Sequence, residues 1–260
     1  AERCVGGVLN IGRTFSDLLD ALNVKPDDRI SICHREPGAR FAGKVYSRFE
    51  AERVVPGLPQ GACIWFGVNV LREGIERGRG GEADVRRCTA MYFDVDLKDG
   101  GIGNVGNVRE VIDGMAEKFG QQPTAVVLSG HGVHLYWALD PNDPGWTLDT
   151  TDKAHTAKAL FARSHRLADE IAHGLGGKLD NVSDLARVLR VPGSFNHKDP
   201  SQPEPVEVLF LNPDLPPLTF ARVQTVVKDV PEHQKQDRQL LGERVSFCGD
   251  WAFGETTTPY

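Results

Sequence analysis

The stretch Met91-Tyr92-Phe93-Asp94-Val95-Asp96-Leu97 alternates along its length and predicts a β-strand. Its odd-numbered residues are all apolar and bury one face, whereas Asp94 and Asp96 share the opposite face. Residues two apart on a strand are separated by roughly 6.6 Å, so both carboxylates can converge on divalent cations, which lie about 3.5 to 4 Å apart in two-metal sites. A half-exposed strand with polar residues outside gives the same pattern. The stretch alone leaves both interpretations open.

A second stretch, Ser-Gly-His-Gly at 129–132, joins two predicted strands, Thr124–Leu128 and Val133–Leu139, in a hairpin. Its two glycines supply the backbone freedom of a tight turn, and the exposed N–H groups of such a turn suit an anion. His134 lies on the second strand, on the same face as Tyr136. A lone histidine on a strand is more often structural, so phosphate binding and a structural role both stay open.

A third stretch, from Asp180 to Lys198, is acidic at its start and carries no carboxylate from Arg187 onward. An acid from its start, Asp180 or Asp184, can join the two strand aspartates at a metal site. Arg187, Arg190 and Lys198 suit phosphate oxygens, because hydrogen bonds between charged groups are strong. The alternative is a solvated basic segment, although the interleaved valine, leucine and proline residues indicate an ordered chain.

In this order, the three stretches resemble the motifs of primase-polymerase domains of the archaeo-eukaryotic primase superfamily, in particular those found with phage and plasmid replication proteins. The first motif of that family, two aspartates around one hydrophobic residue, matches Asp94 and Asp96. The second, Ser-Gly-x-Gly-x-His before Tyr or Trp, matches residues 129–137. The third, an acid ahead of Arg-hydrophobic-x-Arg-hydrophobic-Pro-Gly-Ser/Thr-x-Asn-x-Lys, matches residues 180–198. Trp-Phe-Gly-Val-Asn at 65–69 also looks like this family, so the resemblance covers residues 61 to 211.

The resemblance implies a mixed α/β (α+β) fold, the archaeo-eukaryotic primase fold. A catalytic sheet resembling an RNA-recognition fold is expected to carry all three motifs and to pack beside an N-terminal α/β unit. The active site is expected in the cleft between them. We expect the catalytic domain over residues 1–212, with residues 213–260, proline-rich and then polar, as a C-terminal appendage or linker.

The implied function is template-directed nucleotidyl transfer by a DNA primase or DNA polymerase, in replication of the phage or plasmid type. The implied cofactors are two Mg²⁺ or Mn²⁺ ions, and the implied partners are a single-stranded DNA template, a primer, and NTP or dNTP. The implied catalytic metal ligands are Asp94, Asp96 and Asp180. The implied nucleotide-binding residues are Ser129, His131, His134, Arg187, Arg190, Asn196 and Lys198.

Two glycine-rich features carry smaller expectations. Arg72, Arg77 and Arg79 lie in or beside the stretch Gly74–Gly81, which predicts a flexible loop, and are weaker candidates for contact with template or phosphate. Many relatives are fused to a helicase, so a helicase domain or protein is a further implied partner. The Gly-Lys pairs at 43–44 and 177–178 lack the rest of a phosphate-binding loop, which places any helicase module elsewhere.

Composition describes an ordinary globular protein and excludes several classes. The 260 residues have a formal net charge of −6, 25% charged residues and a mean hydropathy of −0.32. No apolar run approaches the roughly 20 residues of a membrane span, so we expect no membrane partner and a cytoplasmic location, in the host cell if the protein is phage-encoded. The five cysteines form no CxxC pair, which argues against a disulfide framework and against the zinc-binding insertion of some relatives.

Periodicity predicts the main helices. One spans Val108–Phe119, with Asn107 and Glu110 at capping-box spacing, and a longer one spans Lys153–His173. A short helix is also predicted near His233–Arg244.

Three other functions are weighed. Gly-Ile-Gly-Asn-Val-Gly at 101–106 fits a dinucleotide-binding fingerprint, but the preceding strand would aim aspartates at a pyrophosphate, which disfavours a nicotinamide oxidoreductase. A rolling-circle replication nuclease places its metal-binding histidines two apart on one strand face, whereas His131 and His134 are three apart. A non-catalytic module that binds single-stranded nucleic acid leaves the three aspartates unexplained, because stacking platforms favour aromatic and basic residues.

Overall fold

The computed structural model describes residues 14–231 except 60, 98–100 and 181. In chain order the elements are α1 (Phe15–Ala21), β1 (Arg29–Arg35), β2 (Ala42–Ser47), α2 (Arg48–Val54), β3 (Cys63–Gly67), β4 (Val70–Leu71), β5 (Val85–Arg87), β6 (Ala90–Asp96), α3 (Val105–Phe119), β7 (Ala125–Leu128), β8 (Gly132–Ala138), α4 (Thr151–Gly174), β9 (Val188–Arg190), β10 (Phe195–Asn196), β11 (Glu204–Pro205), β12 (Glu207–Leu211) and α5 (Phe220–Val227). Short 3₁₀ turns lie at 55–57, 82–84 and 144–146.

The first sheet belongs to the N-terminal unit. Its strands follow the order β5-β4-β1-β3-β9, and β2 pairs with β1, all antiparallel. The two helices of this unit begin at capping boxes, in which Thr14 and Asp17, and then Ser47 and Glu50, satisfy each other's free backbone N–H groups. Leu18 and Leu19 of α1 are fully buried in the hydrophobic core that this unit shares with the rest of the described chain.

The second sheet carries the first two sequence motifs. Its strands follow the order β12-β7-β8-β6, also antiparallel, and the chain runs β6-α3-β7-β8-α4 before it returns at β12. The helices α3 and α4 pack against each other and cover the sheet. Phe93 of β6 and Phe119 of α3 meet the fully buried Trp137 of β8, with ring centroids 5.6 and 5.4 Å from the indole. The predicted mixed α/β fold is confirmed.

The third motif lies on the other sheet, which corrects one expectation. Its strand β9 pairs with β3 of the N-terminal unit, so that Arg190 lies opposite Trp65 and Leu189 opposite Phe66. Leu189 and Phe66 are both buried in the N-terminal core, and this burial explains the pairing. The sheet that resembles an RNA-recognition fold therefore carries two motifs, and the third motif faces them from the adjoining sheet.

Two glycine-rich segments differ from expectation. The helix α3 begins at Asn104, whose side chain accepts a hydrogen bond from the Asn107 N–H, three residues before the predicted cap. Its first turn was missed because Val105 is 73% exposed and adds nothing to the apolar stripe. The loop 74–81, predicted as flexible, is bound to β2. The Gly78 N–H donates a hydrogen bond to the Gly43 carbonyl (2.9 Å), and Arg77 forms a β-bridge with Lys44.

The chain after residue 212 continues on the same core. Leu218 pairs with Leu139 at the end of the second sheet, and Val223 and Val227 of α5 are fully buried against α3 and α4. The catalytic domain predicted for residues 1–212 thus has α5 packed on it, and the boundary itself stays a prediction. The helix predicted near 233–244 lies outside the described residues. Among those that the structure describes, none of the helices is long and apolar enough to cross a membrane.

A buried histidine of α4 makes folding depend on pH. His165 packs on Phe93, with ring centroids 4.9 Å apart, and burial lowers its pKa to about 3. In the unfolded chain a histidine titrates near ~6.5, so the unfolded state binds one more proton here between about pH 6.5 and 3, and acid favours unfolding.

We therefore expect His165→Gln to reduce the acid sensitivity of the fold. Below about pH 6, the free energy of unfolding of the wild type should fall by up to about 1.4 kcal/mol per pH unit more than that of the variant. Urea denaturation at pH 7.5, 6.0 and 5.0 measures this difference. Parallel pH profiles for the two proteins would show that His165 is not held neutral by the fold.

Candidate active site

The pairing of β6 with β8 sets the geometry of the site. In this register Asp94 lies directly opposite His134, and Asp96 lies opposite Gly132. The Oδ1 of Asp94 is 3.7 Å from the Nε2 of His134, which is longer than a hydrogen bond. Cross-strand partners share one face of a sheet, so the two aspartates and the histidine share the same side.

The surroundings of Asp94 disfavour the ionised form of its carboxyl group. Burial, followed by the charge of Asp96, raises its pKa to about 6, and the charge of Asp180 acts in the same direction. The guanidinium groups of Arg187 and Arg190 oppose this shift only in part. Arg187 Nη2 is 3.8 Å from Asp94 Oδ2. The Asp94 carboxylate is therefore buried beside a second negative charge, and a cation would relieve the repulsion between the carboxylates of Asp94 and Asp96.

His134 is buried and neutral. It is 3% exposed, and burial, together with the positive charges of Arg190 and Arg187, lowers its pKa to about 3. Its Nδ1 and the hydroxyl of the neighbouring Tyr136 are buried without a hydrogen-bond partner in the described part of the chain. At neutral pH this imidazole can offer or accept a hydrogen bond, but it adds no positive charge.

Two glycines of the β7–β8 turn allow the motifs to approach one another. A Cβ at Gly132 would lie 2.3 Å from the Val95 carbonyl oxygen, so only glycine fits against β6 there. Gly130 has φ +94°, and a Cβ on it would lie 2.9 Å from both Asn196 and Glu204. The turn is thus held between the first motif on one side and the third motif on the other.

Asn196 ties the third motif to this turn. It is 2% exposed, its Nδ2 donates to the Ser129 carbonyl (2.9 Å), and its Oδ1 accepts from the Lys198 N–H (3.0 Å). Cys63 of β3 supports the same segment by accepting a hydrogen bond from the His197 N–H (3.2 Å). The amide of Asn196 is engaged with protein groups, so the geometry supports a positioning role for this residue, and its contact with nucleotide stays a prediction.

An open cleft of about 580 Å³ brings the three motifs together. Its lining residues are Asp96, Leu97, Gly130, His131, Lys198 and Asp199. His131 and Lys198 are exposed there, whereas Ser129 is buried at the base of the turn. The backbone of His131 is fixed, because its carbonyl accepts the Leu97 N–H (2.9 Å). The cleft therefore joins a carboxylate of the first motif to basic side chains of the second and third.

The two candidate acids of the third stretch have different surroundings. Asp184 forms an ion pair of 2.7 Å with Arg79, and its other oxygen accepts the Ala186 N–H (2.9 Å). Asp180 is exposed, and its charge reaches Asp94. Asp180 is thus the acid whose charge acts at the strand aspartates, and Arg79 of the glycine-rich loop serves to hold the third stretch in place.

The carboxylates fit a divalent cation in part. Asp94 and Asp96 share one face of β6, and their mutual repulsion is what a cation would relieve. Within the described ranges of the chain, however, no three His, Cys, Asp or Glu side chains stand close enough to hold a metal by themselves. Mg²⁺ is commonly bound by one or two carboxylates together with water and substrate phosphates, so two strand aspartates are sufficient for such a site.

The sequence pattern missed two residues beside the site. Trp65 lies next to Arg190, whose guanidinium carbon is 5.3 Å from the centre of the indole ring, and Cys63 supports the segment after β10. Both belong to the β3 strand of the N-terminal unit. Trp65 lies in the stretch at 65–69 that resembles the family, but this likeness does not show what lies across the sheet, and the sequence carries no comparable signal for Cys63.

Two solved structures resemble this chain. The AEP domain of the cyanophage S-2L primase-polymerase matches with a TM-score of 0.54 and 16% identity, over 82% of this chain and 96% of that one. The catalytic domain of the primase Repb′, solved in complex with initiator DNA, matches with a TM-score of 0.50 and 17% identity, over 84% and 95%. None of the family models or curated proteins matches the sequence. The chain has the fold of primase-polymerase catalytic domains, as its three motifs predict.

We expect Asn196→Asp to lower the free energy of unfolding by about 1 to 3 kcal/mol, because the substitution removes the donor to the buried Ser129 carbonyl. Urea denaturation measures the effect, and Asn142→Asp on an exposed turn is the matched control, with a change below about 0.5 kcal/mol. A fully stable Asn196→Asp protein that binds nucleotide less tightly would instead assign Asn196 a direct contact with the nucleotide.

Proposed function

We propose that this protein is a DNA primase-polymerase that transfers nucleotides to a primer 3′-hydroxyl on a single-stranded DNA template, in replication of the phage or plasmid type. The observation that carries the proposal is the face of β6 and β8, where the repelling carboxylates of Asp94 and Asp96 lie beside buried His134 and the guanidinium of Arg187. The likeness in fold to a phage primase-polymerase domain and to a primase catalytic domain supports it.

Asp94 and Asp96, together with Asp180, would hold two Mg²⁺ or Mn²⁺ ions. When bound, such ions lower the pKa of the attacking hydroxyl and stabilise the charge on the transferred phosphate and on the pyrophosphate that leaves. The role of the protein itself is to hold the carboxylates in fixed positions. Asp94 and Asp96 are fixed by the strand register with β8, and Asp180 comes from the third stretch.

The basic residues of the cleft would bind the triphosphate of the incoming NTP or dNTP. Arg187 and Arg190 lie close enough to Asp94 to shift its pKa, so a phosphate held between them would be placed beside the carboxylates. Lys198 and His131 line the open side of the cleft. His134 would contribute a hydrogen bond from a neutral imidazole, and the turn at Ser129 would contribute backbone N–H groups.

The remaining expectations belong to the same proposal. Residues 1–212 would form the catalytic domain, and residues 213–260 would be a C-terminal appendage or linker, of which α5 packs on that domain. A helicase domain or protein would be a further partner. The protein would act in the cytoplasm, in a phage-infected host if it is phage-encoded. The Repb′ structure is a complex with initiator DNA, which supports DNA as a partner of a chain with this fold; a single-stranded template and a primer belong to the proposal.

We expect Asp94→Asn and Asp96→Asn each to reduce metal-dependent primer extension by more than about 100-fold, beyond the effect typical of an outer-shell partner. The fold should survive. Burial and the charge of Asp96 both disfavour the ionised form of Asp94, so removal of the Asp94 charge should leave the free energy of unfolding at pH 7 unchanged or raise it. Extension of a labelled primer on a single-stranded template, with Mg²⁺ or Mn²⁺, measures the activity.

Asp113→Asn is the matched control, since Asp113 is an exposed aspartate of α3 paired only loosely with Arg109 at 3.8 Å. It should extend primers at the wild-type rate. Wild-type extension by Asp94→Asn or Asp96→Asn would exclude these residues from the reaction.

Metal binding can be followed without turnover. MnCl₂ should raise the melting temperature of the wild type, because a ligand at about 100 times its Kd adds about 2.7 kcal/mol to folding stability. The double variant Asp94→Asn, Asp96→Asn should show no such rise, and Asp113→Asn should show the full rise. Equal stabilisation of the double variant and the wild type would place the metal elsewhere.

A further inference from the structure

A strip of one basic and two aromatic side chains extends from the catalytic cleft across the N-terminal sheet. Arg190 of β9 and Trp65 of β3 are cross-strand partners, with the guanidinium carbon 5.3 Å from the indole centroid. Phe41, just before β2, continues the row, with its ring centroid 5.6 Å from that of Trp65 and the planes inclined by 49°. Trp65 and Phe41 are both partly exposed, and neither has a role in the proposed chemistry. We call these three side chains the Trp65 strip.

The Trp65 strip forms the floor of a passage between two chain segments. On one side, a Cβ at Gly43 would lie 2.9 Å from the Gly78 carbonyl, so the glycine-rich loop lies against this face of the sheet. On the other side, the His197 N–H donates to Cys63 Sγ, so the segment after β10 lies against the same face. Trp65 follows Cys63 by two residues and lies opposite Cys33, which in turn lies opposite Gly43, so its partly exposed ring shares this face with both contacts.

The passage is flanked by positive charge. Arg35, Arg40 and Arg77 are exposed on the β1–β2 hairpin and on the glycine-rich loop, and the exposed acids of these two segments nearest to them are Glu36 and Glu76. Arg190 adds a further charge, and its Nη1 is buried without a hydrogen-bond partner in the described part of the chain. This local excess stands out in a chain whose formal net charge is −6.

We propose that the Trp65 strip binds single-stranded DNA by stacking unpaired bases on Trp65 and Phe41 beside the catalytic cleft. The proposal rests on the proposed function for the identity of that strand as the template. Any base can stack on an aromatic ring, and positively charged residues bind the phosphate backbone. A site that combines the two can therefore bind a template of any sequence. The contact between Arg190 and Trp65 then connects the stacked strand to the phosphate-binding residues of the cleft.

Tryptophan fluorescence tests the stacking directly. Titration with oligo(dT), without metal or nucleotide, should quench the emission of a Trp251→Phe protein, in which the fourth tryptophan, outside the described residues, is removed. Adding Trp65→Phe to that protein should abolish most of the quenching, since Trp137 and Trp146 are fully buried. Phe41→Ala and Trp65→Ala should each weaken the affinity for oligo(dT) by about fivefold or more, the loss expected for one stacked base. Phe41→Ala keeps the test decisive if Trp65→Ala fails to fold.

Salt dependence tests the flanking charges. The double variant Arg35→Gln, Arg40→Gln should reduce the slope of log Kd against log salt concentration by about 1.4, at ~0.7 per phosphate contact on a single strand. The matched control is Arg109→Gln with Lys228→Gln, on α3 and just after α5, whose side chains are 66% and 68% exposed. This control removes the same charge and should leave both slope and affinity unchanged.

Several outcomes overturn the inference. Wild-type affinity in Phe41→Ala, with undiminished quenching when Trp65→Phe is added to the Trp251→Phe protein, would show that the strip does not touch the strand. Unchanged DNA affinity in Trp65→Ala, with a raised KM for the nucleotide, would place Trp65 against the incoming nucleotide instead. These results would leave the proposed function standing if the wild type still extends primers, whereas a wild type that fails to extend them contradicts the function itself.

Discussion

The site depends on the antiparallel pairing of β6 with β8. This register sets Asp94 opposite His134 and closes Gly132 against β6, where a Cβ would lie 2.3 Å from the Val95 carbonyl. A slip of one residue would turn both aspartates into the apolar core. The packing of Phe93 and Trp137 on the other face fixes that register, so the core that stabilises the sheet also positions the carboxylates.

The two sheets contribute opposite charges to one cleft. The second sheet brings Asp94, whose pKa is raised to about 6 by burial and then by the charge of Asp96, and the N-terminal sheet brings Arg190 on β9 with Arg187 just before it. The amide of Asn196 joins the two halves by binding the Ser129 carbonyl. The guanidinium Nη2 of Arg187 is 3.8 Å from Oδ2 of Asp94, so these opposite charges lie close together without a hydrogen bond between them.

The sequence predicted what depends on local pattern. The alternation around Asp94 and Asp96 and the turn at 129–132 were sufficient for the strands and the motif order, and the fold implied by the resemblance is confirmed. Tertiary pairing was out of reach: nothing in residues 188–190 shows that they add to the other sheet, and nothing in Asn196 shows that its amide is consumed by a backbone carbonyl. The individual roles of the site residues stay predictions.

The most direct test of the account is the product formed on a primed single-stranded DNA template with Mn²⁺ and labelled dNTPs or NTPs. The account predicts primers longer by whole nucleotides whose sequence follows the template, and release of one pyrophosphate for each nucleotide added. Template DNA cut and linked covalently to a tyrosine, or DNA that is bound and recovered with no primer extended, would contradict it.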